Sequence, residues 1–135
     1  MIEIKLDENK LQAQAFLTAQ GVSTNISNDI VMSAKEKGVI IAIGTLSLKN
    51  YKVFLDTIVP SKELKDNLGF ILGLMKSLLN LADLRGMRTV YGSNPALFDL
   101  YKMLRFKKEV TDDGKKIYAL DLEGYFTVDS CQHAE

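Results

Sequence analysis

The sequence predicts an α+β fold, a mixed and mostly antiparallel central sheet flanked by helices. Three observations carry this. β-Branched runs separated by tight-turn signals fill residues 30–59, one long amphipathic helical pattern covers residues 68–86, and a strand pair closes around Thr111-Asp112-Asp113-Gly114. Such an order is neither a strictly alternating βαβ repeat nor a meander alone.

The 135 residues suffice for one domain with its own core, expected over 1–126 and followed by a polar tail over 127–135. Hydrophobic residues make up 47% and charged residues 25%, and the 17 basic and 17 acidic side chains cancel. No global field recruits nucleic acid or an anionic membrane, so any anion site must be local. The N-terminus alternates apolar and charged residues and lacks a signal-peptide pattern, and no apolar run reaches bilayer length. A single cysteine, Cys131, cannot form an internal bridge, and the cytoplasm is the expected compartment. Cys131 and His133 are two potential ligands in a polar tail, too few for a zinc site.

Ile2, Ile4 and Leu6 recur at period two and predict a first strand. Asp7 is a suitable cap for a helix running to about Gly21, with Leu11, Ala15 and Ala19, and Phe16 beside them, as its apolar stripe. Ser23 to Asp29 reads as a loop or a short second helix. Ile30-Val31-Met32, then Val39 to Leu48, buried on both faces, then Lys52 to Val59 form a meander turned at Lys35-Glu36-Lys37-Gly38 and at Lys49-Asn50. Leu68, Ile71, Leu72, Met75, Leu78, Leu79 and Ala82 line one face of the long helix, which Arg85 and Gly86 end. Thr89 to Tyr91 is a short strand. Asn94 as cap and Pro95 at the first helical position start another helix, with Leu97, Leu100, Tyr101 and Leu104 inward. Phe106 to Val110 and Lys116 to Leu122 close the fold. The predicted order is β-α-(α)-β-β-β-α-β-α-β-β, with parallel pairing required only around the two late helices.

Two segments in this order resemble the GNAT superfamily of N-acetyltransferases. One is Val53 to Pro60 with the loop and helix that end in Ala82-Asp83-Leu84-Arg85-Gly86, similar to the GNAT core strand and cofactor helix. The other, Asn94 to Phe106, is similar to the family's late motif: Asn94, Leu100, Tyr101 and Phe106 agree, Leu97 stands for a small residue, and Arg105 replaces a glycine. The resemblance implies acetyl transfer from acetyl-CoA to a primary amine of a small molecule or peptide, by direct attack in a ternary complex, and a homodimer is a common assembly. The family's phosphate loop has Arg or Gln, then two glycines or Gly and Ala. Here the corresponding residues are Asp66, Gly69 and Ile71, so the loop is degenerate.

A helix N-terminus suits a pyrophosphate because its first amides lack partners and its dipole favours anions. That places Leu68, Gly69, Phe70 and Ile71 at the phosphates. Asp66 either faces them repulsively or caps the helix. In this fold the core strand splays from the strand after the helix, and the pantetheine arm pairs with the open edge. Ile58 and Val59, ahead of the pairing-incompetent Pro60, occupy that edge. Asn94 and Tyr101 complete the cofactor set by resemblance. Tyr101 is the family's proton donor to the CoA thiolate, or else a core tyrosine. Asp56, on a strand face with Phe54 and Ile58, is the candidate base if its surroundings are apolar, or else a surface or hydrogen-bonded carboxylate. The amine pocket is expected from the first helix, the Gly21 to Asp29 loop and the closing hairpin. The rival reading keeps the fold without the chemistry, as a CoA-sensing or protein-binding module, and Asp66, Ile71 and Arg105 favour it.

Overall fold

A computed structural model describes residues 2–126, so the predicted tail with Cys131 and His133 lies outside the described residues. Eleven elements follow in order: β1 (Ile2–Leu6), α1 (Lys10–Ala19), β2 (Ile30–Glu36), β3 (Val39–Lys49), β4 (Lys52–Pro60), α2 (Leu68–Leu84), β5 (Thr89–Gly92), a 3-10 turn (Pro95–Leu97), α3 (Phe98–Met103), β6 (Lys107–Val110) and β7 (Lys116–Asp121). The seven strands form one sheet in the order β1-β2-β3-β4-β5-β7-β6. Every neighbouring pair is antiparallel except β4 and β5. The crossover α2 makes that pair parallel. After α3 the chain enters β6, which lies one strand beyond β7, so α3 joins no adjacent parallel pair. Residues 20–29 are a loop, and no second helix forms there.

Both meander hairpins have two-residue turns whose central residues are left-handed: Lys37 and Gly38 at φ +53° and +80°, Asn50 and Tyr51 at +51° and +64°. That geometry matches the twist of the flanking strands. The second turn sits one residue later than the sequence suggests, because Lys49 still pairs with Lys52.

The two faces of the sheet carry separate cores. Helix α2 covers one face, where Leu74, Met75, Leu78 and Leu79 are fully buried against Leu46, Leu55 and Val90. Leu74 joins this face and Leu68, expected in the stripe, does not: it is 46% exposed in the first turn, beyond the sheet contact. Helix α1 and the 20–29 loop cover part of the other face, where Ala13, Leu17 and Ile26 pack on Val31 and Ile43. The expected α1 stripe is therefore corrected. Leu11 is 80% exposed and Ala15 and Ala19 are exposed, because the helix turns Leu17 toward Ile43.

Two caps are also corrected. Asn9, not Asp7, caps α1 by accepting the Leu11 amide, while Asp7 accepts the Ser33 hydroxyl at 3.1 Å. Asn67, not Asp66, caps α2 by accepting the Phe70 amide at 3.1 Å. At the other end of α2, Gly86 is left-handed and the Met87 amide reaches back to the Ala82 carbonyl, the Schellman closure expected of that glycine.

Candidate active site

The site begins at an irregularity in β4. Thr45 opposes Thr57 and Ser47 opposes Phe54, so Leu55 and Asp56 together stand against Leu46 alone. This is a β-bulge, and it bends β4 at the point where its second partner is lost. The parallel pairing of β4 with β5 consists of Val53 with Val90 and Phe54 with Tyr91. Beyond it, from Leu55 to Pro60, no described strand pairs with that edge of β4. The predicted splay is thus present, and Ile58 and Val59 lie on its open side while still pairing with Gly44 and Ile43 of β3.

A tight hydrogen-bonded cluster fills the apex of the splay. The Tyr101 hydroxyl donates to the Leu55 carbonyl at 2.7 Å and lies 3.1 Å from Asp56 Oδ1. The Ser93 amide donates to Asp56 Oδ1 at 2.7 Å, and the Ser93 hydroxyl donates to Oδ2 at 2.5 Å. Asn94 Nδ2 donates to the Asp56 carbonyl at 2.8 Å, while its Oδ1 accepts the Ala96 amide. The loop after β5 is therefore tied to the bulge of β4 by side chains, which replace the missing ladder.

Tyr101 has no exposed surface. Its ring meets those of Phe106 and Tyr118 at 5.0 and 5.6 Å between centroids, and it lies flat against Gly92. A Cβ at Gly92 would come within 2.2 Å of Cζ, so only glycine fits beside this ring. Burial, with the negative charge of Asp56 beside it, pushes the Tyr101 phenol well above the ordinary tyrosine range. It is a tyrosine of the core and of the apex together.

Asp56 is half-buried, but its surroundings are not apolar as the base hypothesis assumed. Two donors from Ser93 use two of the roughly four acceptor positions of a carboxylate, and the Tyr101 hydroxyl, whose one proton goes to the Leu55 carbonyl, lies 3.1 Å from Oδ1. Ser93 is the residue sequence reasoning missed. A serine after a short strand carries no signal, and its role exists only because β5 ends opposite the bulge.

At the N-terminus of α2 the four expected phosphate donors divide in two. The Phe70 amide is taken by the Asn67 side chain and the Ile71 amide by the Asn67 carbonyl at 3.1 Å. The amides of Leu68 and Gly69 have no partner among the described residues. Asp66 is exposed, and the Ile71 side chain is 9% exposed, turned into the core rather than toward a ligand. The Arg105 substitution also has a local explanation. Arg105 ends α3 at φ +72°, and the Phe106 amide closes onto the Tyr101 carbonyl at 3.0 Å. This is the left-handed position that glycine adopts without strain.

A concavity of about 390 Å³ opens beside the bulge, on the α1 face. The 20–29 loop supplies Asn25, Ser27 and Asp29, and the strands supply Ser47, Asp56 and Thr57. The 20–29 loop forms one wall of this concavity and β3 and β4 the other; the first helix and the closing hairpin, expected to help build an amine pocket, do not line it. A larger concavity of about 460 Å³ around Tyr91, Arg105 and Lys107 includes none of Asp56, Ser93 or Tyr101.

This architecture, with a bulged core strand splayed from its parallel neighbour, is the GNAT N-acetyltransferase fold found in many solved structures. The chain is similar to the ribosomal-protein-S18-alanine N-acetyltransferase of Escherichia coli, at 18% identity and a TM-score of 0.65 over 90% of this chain and 94% of the other. It is similar to an N-acetyltransferase of Staphylococcus aureus Mu50, at 17% identity and 0.68 over 90% and 99%. A GNAT family acetyltransferase of Elizabethkingia anophelis, solved with acetyl-CoA bound, matches at 12% identity and 0.64 over 89% and 97%. No family model matches the sequence, and no curated protein matches it. No helix among the described residues is long and apolar enough to cross a membrane.

Proposed function

We propose that the chain is an acetyl-CoA-dependent N-acetyltransferase acting on a primary amine. The observation that carries this reading is the open edge of β4, which begins at the bulge of Leu55 and Asp56 and, among the described residues, has no strand partner on that side beyond Phe54. An extended pantetheine arm completes such an edge with amide hydrogen bonds, at Ile58 and Val59. The pyrophosphate falls at the N-terminus of α2, where the Leu68 and Gly69 amides are free to donate. The thioester then lies at the apex. There the amine nitrogen attacks the thioester carbonyl, a C–N bond forms, the C–S bond breaks, and CoA leaves as its thiolate.

Asp56 is the residue we assign as base for the amine proton, through an acceptor position that the two Ser93 donors leave open. The Tyr101 hydroxyl is covered in the free chain and gives its one proton to the Leu55 carbonyl. A thiol has an ordinary pKa of about 8.5, far below that of this raised phenol. Tyr101 would therefore serve the thiolate as a hydrogen-bond donor, turning its proton from the Leu55 carbonyl as the ligand opens the apex, and the proton that finally neutralises the sulfur comes from solvent. Asn94 holds the bulge carbonyl and with it the shape of the apex.

A second reading, a GNAT fold that senses CoA or binds a partner without chemistry, is favoured by one observation. The apex is closed by the chain's own Ser93, Asn94 and Tyr101, and Tyr101 is fully covered. Calorimetry with acetyl-CoA and CoA, followed by thiol release from acetyl-CoA on adding primary amines, separates the readings, since a sensor binds without releasing thiol. Sub-millimolar binding of acetyl-CoA is expected, and absence of binding by both ligands sinks the enzyme. If both bind and Tyr101→Phe leaves thiol release unchanged with every amine accepted, Tyr101 takes no part in turnover.

A further inference from the structure

We infer that the chain associates with a second copy of itself through the free edge of β1, antiparallel and centred on Ile4, with Glu3 of each copy opposite Lys5 of the other. β1 ends the sheet and, among the described residues, pairs only with β2. The register between the two runs without a shift from Ile2 opposite Glu36 to Leu6 opposite Met32.

One contact fixes the backbone phase of the free edge. One step beyond the ladder, the Asp7 amide donates to the Val31 carbonyl at 2.7 Å. Hydrogen-bonded pairs alternate along an antiparallel ladder, so toward β2 the bonded pairs are Lys5 with Ser33 and Glu3 with Lys35. Ile2, Ile4 and Leu6 therefore turn their amides and carbonyls outward, where no described strand meets them. An edge of this kind is a template for an added strand.

The side chains say which strand it takes. Cross-strand neighbours share a face, so Ile4 and Leu6 lie with Ala34 and Met32 on the side of the α2 core. That apolar row ends in the open, for Ile2 is 39% and Leu6 37% exposed. Glu3 and Lys5 lie on the opposite face, and both are exposed. Reversed about Ile4, β1 sets Ile2 against Leu6, Ile4 against Ile4 and Glu3 against Lys5 of the second copy. Apolar meets apolar on one face, and opposite charges meet on the other. A register one residue away sets each charge against an aliphatic side chain, and one two residues away sets Glu3 against Glu3 or Lys5 against Lys5.

Two neighbours favour the same pairing. Lys35 stands opposite Glu3 on β2, so the completed row alternates in sign: Lys35, Glu3, then Lys5 of the second copy. The 3.0 Å contact of Lys5 with Glu3 inside β1 joins exposed groups and costs little to exchange. The far edge of the sheet differs. β6 is Lys107-Lys108-Glu109-Val110, with adjacent lysines and no apolar row, the usual protection of an edge against pairing. The β1 contact has a two-fold axis through Ile4, so it closes as a dimer. It is independent of acetyl transfer, because β2 and β3 separate β1 from β4.

Sedimentation equilibrium of the full chain at low ionic strength tests this. One short strand from each copy makes an interface of the weak class, so a dissociation constant on the order of 10–100 μM is expected. Glu3→Lys and Lys5→Glu should each weaken association about 10-fold or more, because like charges then face each other at both ends of the pair. Mixed in equal amounts, these two variants should regain the association of the parent, since the lysines of one meet the glutamates of the other. The charges within each chain still repel in that mixture, so only pairing between copies can restore it. A parent that stays monomeric to about 1 mM, single variants that associate as well as the parent, or a mixture no tighter than its components would each overturn the inference. Both substitutions fall on exposed side chains, and unchanged urea unfolding of each variant confirms that the fold is kept.

Discussion

Replacing Gly92 with alanine tests the arrangement on which the whole apex depends. The new methyl would lie 2.2 Å from Tyr101 Cζ and 2.4 and 2.6 Å from the two Cε atoms. Non-bonded carbons rest at about 3.5–4.0 Å, so the ring must retreat by about 1 Å. It has nowhere to go. Phe106 and Tyr118 stack around it at 5.0 and 5.6 Å, and its hydroxyl is tied to the Leu55 carbonyl at 2.7 Å. Overpacking of a rigid site costs about 1–3 kcal/mol. Pulling the hydroxyl from a buried carbonyl costs about 1–3 kcal/mol more. Gly92→Ala should therefore lose about 2–6 kcal/mol in urea unfolding with an unchanged m-value, and on the order of 10–20 °C in melting temperature. Tyr101→Ala alone should cost about 3–5 kcal/mol as a large-to-small core change. In the double variant the methyl enters the space the ring has left, so the two losses should fall well short of adding. A Gly92→Ala protein within about 0.5 kcal/mol of the parent, or strictly additive losses, would falsify the placement of the ring.

Two further changes check neighbouring parts of the site. Arg105→Gly should stabilise the chain by about 0.5–1 kcal/mol in scanning calorimetry. The left-handed residue costs an L-amino acid about 1–2 kcal/mol, and the greater unfolded-state freedom of glycine returns part of the gain; an unchanged or lower melting temperature counts against this. The Tyr101 phenol is raised in the folded chain, so its neutral form is fully in place below the unfolded value near 10, and stability falls as pH rises above it. In urea unfolding from pH 8 to 11.5, the stability difference between parent and Tyr101→Phe should hold to about pH 10 and then shrink by about 1.4 kcal/mol per pH unit; a difference that stays flat to pH 11.5 contradicts the burial.

What was legible in the sequence was periodic or conformationally demanding. Most of the α2 face, the first hairpin turn, Gly86 as the helix end and Asn94-Pro95 as a helical start, here a 3-10 turn leading into α3, follow from local physics and appear where expected, while the second hairpin turn comes one residue late and Leu68 leaves the α2 face. The errors lie where adjacent residues offered the same chemistry. Asp7 and Asn9, and Asp66 and Asn67, are equally good caps by type, and only the path of the chain chooses between them. In the ten-residue α1, the Leu11 stripe and the Leu17 stripe are similar in composition, and the choice is made across the sheet by Ile26, Val31 and Ile43. The bulge at Leu55 and Asp56 has no glycine to mark it. It is a fact about pairing, two residues against Leu46, and a single strand read alone does not contain it. Ser93 became part of the site through that same pairing.

The N-terminus of α2 is where the fold and the chemistry are most nearly at odds, and the geometry narrows the conflict. Asp66, the expected source of repulsion, is exposed and does not cap, so it need not face a phosphate. The real competitor is Asn67, whose side-chain oxygen already occupies the Phe70 amide. A neutral cap of this kind contributes about 1 kcal/mol, whereas a hydrogen bond to an anion is about twice as strong as a neutral one and is favoured further by the helix dipole. A pyrophosphate can therefore displace the Asn67 side chain at a net gain, while the Leu68 and Gly69 amides are available from the start. The absence of the second glycine matters less than the sequence implies, because Ile71 turns its side chain into the core and leaves the approach to these amides clear of it. On the acetyl-CoA reading, what the degenerate loop would change is the starting state: Asn67 caps the helix before any ligand, and affinity would be lowered by about the worth of that cap.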